Sequence, residues 1–397
     1  MQRFTGVLLA ALVGLALAPG QSAPAYQVDP LWPKPLQNGW ILGSVTGVAV
    51  DAQDRIWIVH RGADSLTART ENGLGTNPPT AEYCCRPAPA VLAFDVDGNL
   101  VANWGGPGNG YDWPKTPGGI AIDPKGNVFI AAAGWPEPPG AGGRGGGRGG
   151  GRGGDPAAAQ KPAPPPPPPS HDAHILKFSP KGDFLQQFGK PGASDGNASR
   201  TAFNRPSDLA FDAAANELYI ADGHGNRRSV VVDAATGAYK RHWGAYGAPP
   251  DDAPLPPYDP AAPAAKQFRT PSCVAIARDN TVYVCDRQNN RIQSFRKDGT
   301  FVKEAVLAKD TRGNGAVWDI AFSNDPQQRF MFVADGQSHR IRIIQRDTMA
   351  EVGTLGGGGR WPGAFNAPGS VAVDSRGNLY TGETFEGKRV QKFTPRR

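Results

Sequence analysis

TPSCVAIARDNTVYVCDRQNNRIQSF, residues 270–295, is one sentence of sequence that this chain repeats with variations. A proline or small polar opening leads into a short apolar strand and then an Asp/Gly/Asn turn. A second apolar strand ends near an aspartate, and a third ends in phenylalanine. The same grammar runs through TPGGIAIDPKGNVFIAAAG (116–134), RPSDLAFDAAANELYIADGHGNRR (205–228) and APGSVAVDSRGNLYTGETFEGKRVQKF (367–393). Weaker copies are VTGVAVDAQDRIWIVHRG, from near Thr46, and VWDIAFSNDPQQRFMFVADGQSHRIRII, from near Trp318. No copy buries its own apolar face alone, so the copies must stack or close into a ring.

The matching strand positions are Gly47, Gly119, Asp208, Cys273, Asp319 and Ser370, at spacings of 72, 89, 65, 46 and 51 residues. The last two approach the roughly 40–50 residues of a four-stranded propeller blade. Each longer spacing holds an insertion, at Gly62–Pro87, Gly134–Ser170 and Gly247–Lys266. The reading is an all-β, six-bladed β-propeller. Leu379-Tyr380-Thr381 and Val282-Tyr283-Val284 show the alternation of half-buried strands. Asp-Gly-Asn at 97–99, Lys-Gly-Asn at 125–127 and Arg-Gly-Asn at 376–378 supply the positive φ that tight turns need. No amphipathic helix is expected in the mature chain. The last repeat runs out near Phe393 after three strands, and the segment from Tyr26 to Pro33 is expected to supply the fourth and close the ring.

Residues 1–25 read as a secretory signal: Arg3 gives the positive start, Val7–Ala18 is apolar, and Ala23-Pro24-Ala25 is an A-x-A cleavage site. The apolar run is too short to span a bilayer, and no other stretch qualifies. The expected product is one exported domain from Tyr26 to Arg397, periplasmic or extracellular. The formal charge of +6 over 397 residues is modest and names no partner by itself. It allows weak attraction to anionic surfaces. Gly 52 and Pro 39 are high, and much of the excess lies in loops and in two low-complexity inserts.

Export makes the four cysteines candidates for oxidation. Cys273 and Cys285 fall on neighbouring strands of one blade, which suits a cross-strand disulfide. Cys84 and Cys85 form either a vicinal disulfide at the mouth of the ring or bonds to separate partners, since sequence does not fix connectivity. GGRGGGRGGGRGG at 142–154 and the following prolines form no packed core; the first part is flexible, the second stiff polyproline. Arg144, Arg148 and Arg152 resemble an RGG segment. In an exported chain the reading is a surface loop, with a protein or anionic polymer as its possible partner and no nucleic acid.

Chemistry is expected at the channel mouth, where inner strands begin and the loops after the second strands converge. The inner positions are Thr46, Gly118, Ser207, Ser272, Trp318 and Gly369. The loop positions include His60-Arg61, His224, Arg287-Gln288, Gln337 and Glu383-Thr384. Arg61 and His224 are the candidate catalytic pair; His60, Asp208, Arg287, Asp319 and Glu383 are the candidate ligand-binding set. Asp208, Asp319, Arg61, His224 and Glu383 are expected to line one polar cavity of small-molecule size. Asp208 and Asp319 have an alternative role, accepting backbone hydrogen bonds at the strand openings. Asp222…Asn226-Arg227 and Asp286…Asn290-Arg291 recur between blades, so they read as blade construction; an active site needs its residues once.

The repeats resemble NHL repeats. The mature chain outside the inserts is similar to peptidyl-α-hydroxyglycine α-amidating lyase and its bacterial relatives, most clearly in GVAVDAQDRIWIVHRG, RPSDLAFDAAANELYIADGHGNRR and QFRTPSCVAIARDNTVYVCDRQNNRIQSF. That resemblance implies a zinc held in the channel by three histidines, each after a proline, with a tyrosine and an arginine splitting a carbinolamide into an amide and glyoxylate. The arginine falls on Arg61 and the tyrosine on His224. The three histidine positions fall on Gly118, Ser272 and Gly369, and a calcium-binding aspartate falls on Ser370. Tetrahedral catalytic zinc takes three protein ligands and an open position, so neither zinc nor calcium is expected as a cofactor. His171 and His174 form an H-x-x-H whose rings point to opposite faces if both lie on a strand.

Three functions fit. The first is an exported binding propeller that takes a small molecule or peptide at the mouth and has lost the metal chemistry. The alternative is a lyase or hydrolase using Arg61 and His224. The third is an interaction protein that works through its outer edges or the 134–170 insert.

Overall fold

The computed structural model describes residues 22–68, 70–134 and 171–396. Most of the Gly/Arg/Pro insert and of the secretory signal lies outside the described residues.

Six antiparallel four-stranded sheets follow one another in chain order. Blade one comprises Val45–Val50, Ile56–His60, Val91–Phe94 and Leu100–Trp104; blade two comprises Pro117–Ile122, Val128–Ala132, His174–Phe178 and Phe184–Gly189. Blade three is Asp208–Asp212, Glu217–Asp222, Arg228–Asp233 and Tyr239–Trp243; blade four is Pro271–Ile276, Val282–Asp286, Arg291–Phe295 and Phe301–Val306. Blade five is Asp319–Phe322, Phe330–Asp335, Arg340–Gln345 and Ala350–Leu355; blade six has Pro368–Val373, Leu379–Glu383 and Arg389–Pro395. The innermost strand comes first in each blade. Helical structure among the described residues is confined to 3-10 turns of three or four residues.

The expected closure of the ring by the N-terminal strand is corrected. No sheet closes on itself by hydrogen bonds, and each stays a separate open sheet with two edges. Tyr26–Asp29 pairs antiparallel with Arg389–Pro395, setting Tyr26 opposite Pro395 and Val28 opposite Phe393, and forms the outer edge of blade six. No strand ladder joins one blade to another, and the inner strands of neighbouring blades share isolated bonds such as Gly119 N–H to the Ser207 carbonyl at 2.7 Å. The inner strands of blades six and one therefore meet by packing, without a ladder between them.

That packing also corrects the strand pattern. The second strands are buried on both faces: Leu379, Tyr380, Thr381, Val282 and Val284 have no exposed surface. Each face meets a neighbouring blade, as where Trp57, Val59 and Val91 of blade one pack on Ile120, Val128, Leu176 and Phe178 of blade two. Alternating exposure survives in outer strands such as Leu100–Trp104. The turns are as the sequence suggests. Gly98, Gly126 and Gly377 adopt φ of +83°, +81° and +81°, and the Asp95 carboxylate accepts the amides of Asp97 and Asn99 at 3.0 and 2.8 Å.

Both cysteine pairs are disulfides, Cys273–Cys285 across the first two strands of blade four and Cys84–Cys85 in the first insert. Two inserts fold onto the mouth face. Glu71 of the first forms an ion pair with Lys388 of blade six at 2.8 Å. In the last insert, the Tyr258 hydroxyl donates to the Lys309 carbonyl at 2.7 Å. Among the described residues no helix is long and apolar enough to cross a membrane.

Candidate functional site

The second strands all end on one face of the ring, and most end in an acid. Asp222, Asp286, Asp335 and Glu383 pair with Arg228, Arg291, Arg342 and Arg389 of the adjoining third strands at 2.9, 2.8, 2.6 and 2.6 Å. The other carboxylate oxygen accepts a backbone amide: Asn204 at 2.9 Å, Arg269 at 2.8 Å, Ser338 at 2.8 Å and Asn366 at 2.7 Å. These acids thus tie a loop to the blade and hold a buried guanidinium. Glu383 is one of them, with a third hydrogen bond from Gln391 at 2.8 Å. Burial pushes its carboxyl above the ordinary range, against the pull of Arg389. Within the recurring motifs, Asp222 binds Arg228 and the Asn226 side-chain amide, and Asp286 binds Arg291 and the Asn289 side-chain amide. In blade two the loop-holding role falls to Asp172, which accepts the amides of Lys115, Thr116 and Gly134. Asp172 sits behind the long insert, where repeat alignment does not find it.

His60 is fully buried at the end of its strand. Its Nδ1 accepts the amides of Gly43 and Gly62 at 3.1 and 3.0 Å, and Nε2 bonds the Pro89 carbonyl at 2.9 Å. Burial lowers its pKa to about 4. Both ring nitrogens are occupied by backbone, so the geometry is that of a structural pin.

At the strand openings, Asp208 accepts the Val274 amide at 3.1 Å and Asp319 the Val371 amide at 2.8 Å. Each carboxylate therefore staples its blade to the inner strand of the next. Close approach shapes the neighbouring position as well: a Cβ on Gly119 would lie 1.9 Å from Asp208 Oδ1. Burial raises both carboxyls, Asp208 well above its ordinary value with Asp319 adding to the effect, and Asp319 to about 7. They line a cavity of about 30 Å³ with Ser207, Ser272, Trp318 and Ser370. That is the volume of about one water molecule. Arg61, His224 and Glu383 are not in its wall.

The cationic part of the mouth spans blades two to five. His224 carries a backbone pairing with Arg205, its amide donating to the Arg205 carbonyl at 3.2 Å while the Arg205 guanidinium donates to the His224 carbonyl. Burial, then Arg287 and Arg205, push its pKa down to about 3. The Arg287 guanidinium lies 5.0 Å from the Trp318 ring centroid. Trp318 is in turn fixed by its indole N–H on the Gly315 carbonyl at 2.7 Å and by edge contact with Phe385 at 5.9 Å. Burial lowers the Arg287 pKa to about 10, and its buried Nε has no hydrogen-bond partner. Arg61 starts the 3-10 turn Gly62–Ser65 on the same face, with its buried Nε also unpartnered. No hydrogen bond joins Arg61 to His224 among the described residues. Arg205 escaped the sequence reading, although it stands where the repeats at 116, 270 and 367 open with Thr or Ala. That break in the repeat was the available signal.

The residues present do not fit a histidine-bound zinc. Gly118 and Gly369 offer no side-chain ligand, and the Ser272 hydroxyl bonds the Val317 and Trp318 carbonyls at 3.1 and 3.0 Å. Among the described residues the one group with ligand atoms close enough for a metal is Asp208, Cys273 and Asp319, within 4.8 Å. Cys273 is bound in its disulfide. His174 bonds the Asp112 carbonyl at 2.6 Å at the start of its strand, while His171 lies before that strand.

The NHL-repeat family model matches residues 268–295. Mouse NHL repeat-containing protein 3 is 22% identical over 404 residues, covering 99% of this chain and 91% of that protein. Mouse peptidyl-glycine alpha-amidating monooxygenase is 24% identical over 312 residues, covering 75% of this chain but 24% of the relative, so the match spans about a quarter of its length. Among solved structures, a Bacteroides thetaiotaomicron protein of unknown function superposes with a TM-score of 0.53 at 13% identity, over 94% of this chain and 73% of that one. The chain is thus a six-bladed β-propeller with NHL-repeat similarity, without a zinc-binding histidine cluster among its described residues.

Proposed function

We propose that this chain is an exported recognition propeller that holds a small molecule or peptide at its mouth by an anionic group. The observation that carries the reading is Arg287. The other arginines of the second-to-third-strand corners named above are each matched to a carboxylate. Arg287 is half-buried against Trp318, with no acid partner among the described residues. A buried charge without a partner is costly to the fold, which favours a partner supplied by the ligand. Arg205 and Arg61 add positive charge on the same face. Export rests on the composition of residues 1–25.

A lyase or hydrolase reading on Arg61 and His224 has less support. A base works best with a pKa near the working pH, and His224 at about 3 is a weak proton acceptor. The similarity to a protein named for peptidyl-glycine suggests a peptide C-terminus as the anionic group. The test is incubation with a peptide ending in α-hydroxyglycine, with and without added zinc, followed by assay for glyoxylate. Binding without release is expected; repeated turnover would contradict the reading.

A further inference from the structure

A second basic pocket lies on the mouth face outside the candidate site just described. Tyr258, Arg269, Gln288, Thr311, Arg312 and Gly313 enclose about 220 Å³. Its walls come from three separate pieces of chain: the 247–266 insert, the loops of blade four, and the connection into blade five. Each is fixed. Tyr258 is held on Lys309, Gln288 accepts the Thr270 hydroxyl at 2.6 Å, and Asn290 donates to the Thr311 carbonyl at 2.7 Å. Arg287 shares this wall through its own amide, which donates to the Thr270 carbonyl at 3.0 Å, but it does not line the pocket.

Both guanidinium groups in the pocket keep terminal donors unused among the described residues. Arg269 spends Nε on the Asn289 side chain at 3.1 Å, and among the described residues no other side-chain hydrogen bond or ion pair holds it. Arg312 is exposed and makes neither kind of contact among the described residues. The acid nearest Arg269 in effect is Asp286, already bound to Arg291 and Asn289. Burial lowers the Arg269 pKa, with Arg227 and Arg291 adding to the effect against Asp286. A planar guanidinium with free donors suits a carboxylate or phosphate, and two of them facing one cavity suit it better.

We propose that this pocket is a distinct oxyanion-binding site, in which Arg269 and Arg312 clamp a phosphate or carboxylate group between the insert and blade four. Thr311 and Gln288 supply polar wall around that group. The site does not depend on the ligand assigned to Arg287.

The experiment is calorimetric titration of the purified full chain with inorganic phosphate and, in parallel, with succinate. The variants are Arg269→Gln, Arg312→Gln and Arg287→Gln, each checked by thermal melting. At least one of the two anions binds saturably. Its affinity falls about tenfold in R269Q and several-fold in R312Q, and the binding sensitive to those two substitutions persists in R287Q. R312Q alters an exposed side chain, so its result stands even if R269Q folds poorly. Which probe binds assigns phosphate or carboxylate. Binding that survives both pocket substitutions and is lost in R287Q overturns the pocket and places the anion at the mouth. Saturable binding of neither probe also overturns the pocket, without bearing on a larger ligand at Arg287.

Discussion

Asp319 shows how a single buried acid reports on the ring. Its folded pKa of about 7 lies above the ordinary value of 3.8 because burial disfavours the charge. Between those values the folded chain keeps a proton that the unfolded chain has released. Stability from this group is therefore full below the unfolded pKa and falls as pH rises towards 7. His60 acts the other way, since its folded pKa of about 4 lies below the ordinary 6.5. The unfolded chain takes up the proton first, so stability is lost as pH falls through that window. The Asp319→Asn variant is neutral throughout. Its unfolding free energy from urea denaturation, compared with the parent at about pH 5 and about pH 8, should gain on the parent at the higher pH by on the order of 3 kcal/mol. Parallel pH profiles would contradict a raised Asp319.

The corner between second and third strands is the element that the repeat builds over and over. Arg228 has no exposed surface and donates to the Asn197, Ser199 and Ala202 carbonyls besides Asp222. Breaking one side of such a buried pair costs about 3–5 kcal/mol, because the other charge stays behind. Arg228→Leu should lose about that much in chemical denaturation. The Asp222→Leu, Arg228→Leu double variant should recover only part, since the Asn204 amide then loses its acceptor as well. A single-variant loss below about 1 kcal/mol would show the pair to be idle. Sequence revealed that such a corner exists, since Asp, Asn and Arg recur within a few residues. It did not reveal the pairing, because neighbouring Asn289 and Asn290, or Arg227 and Arg228, are chemically interchangeable until the turn fixes which one faces the acid. Cys273 and Cys285 were easier, because a two-strand hairpin allows few registers.

At the scale of the whole molecule, the ring was legible because six copies each demand a neighbour. The mouth was less so. The residues that sequence singled out there were polar and present, but a list cannot show that His60 and Glu383 are already satisfied. Nor can it show that Arg287 is not, since lacking a partner is a property of the assembled structure. The pocket at Arg269 and Arg312 was hidden for a related reason: an insert far along the chain forms one of its walls. Between the inner strands lies a space of only about 30 Å³, and the proposed recognition is on the arginine-rich face outside it. The most direct test of that account is equilibrium binding of one short peptide in two forms, free C-terminal acid and C-terminal amide, to the parent and to Arg287→Gln. The account predicts that the acid binds the parent at least about tenfold more tightly than the amide, and that R287Q removes the difference. Equal binding of acid and amide by the parent, or a preference that survives in R287Q, would contradict it.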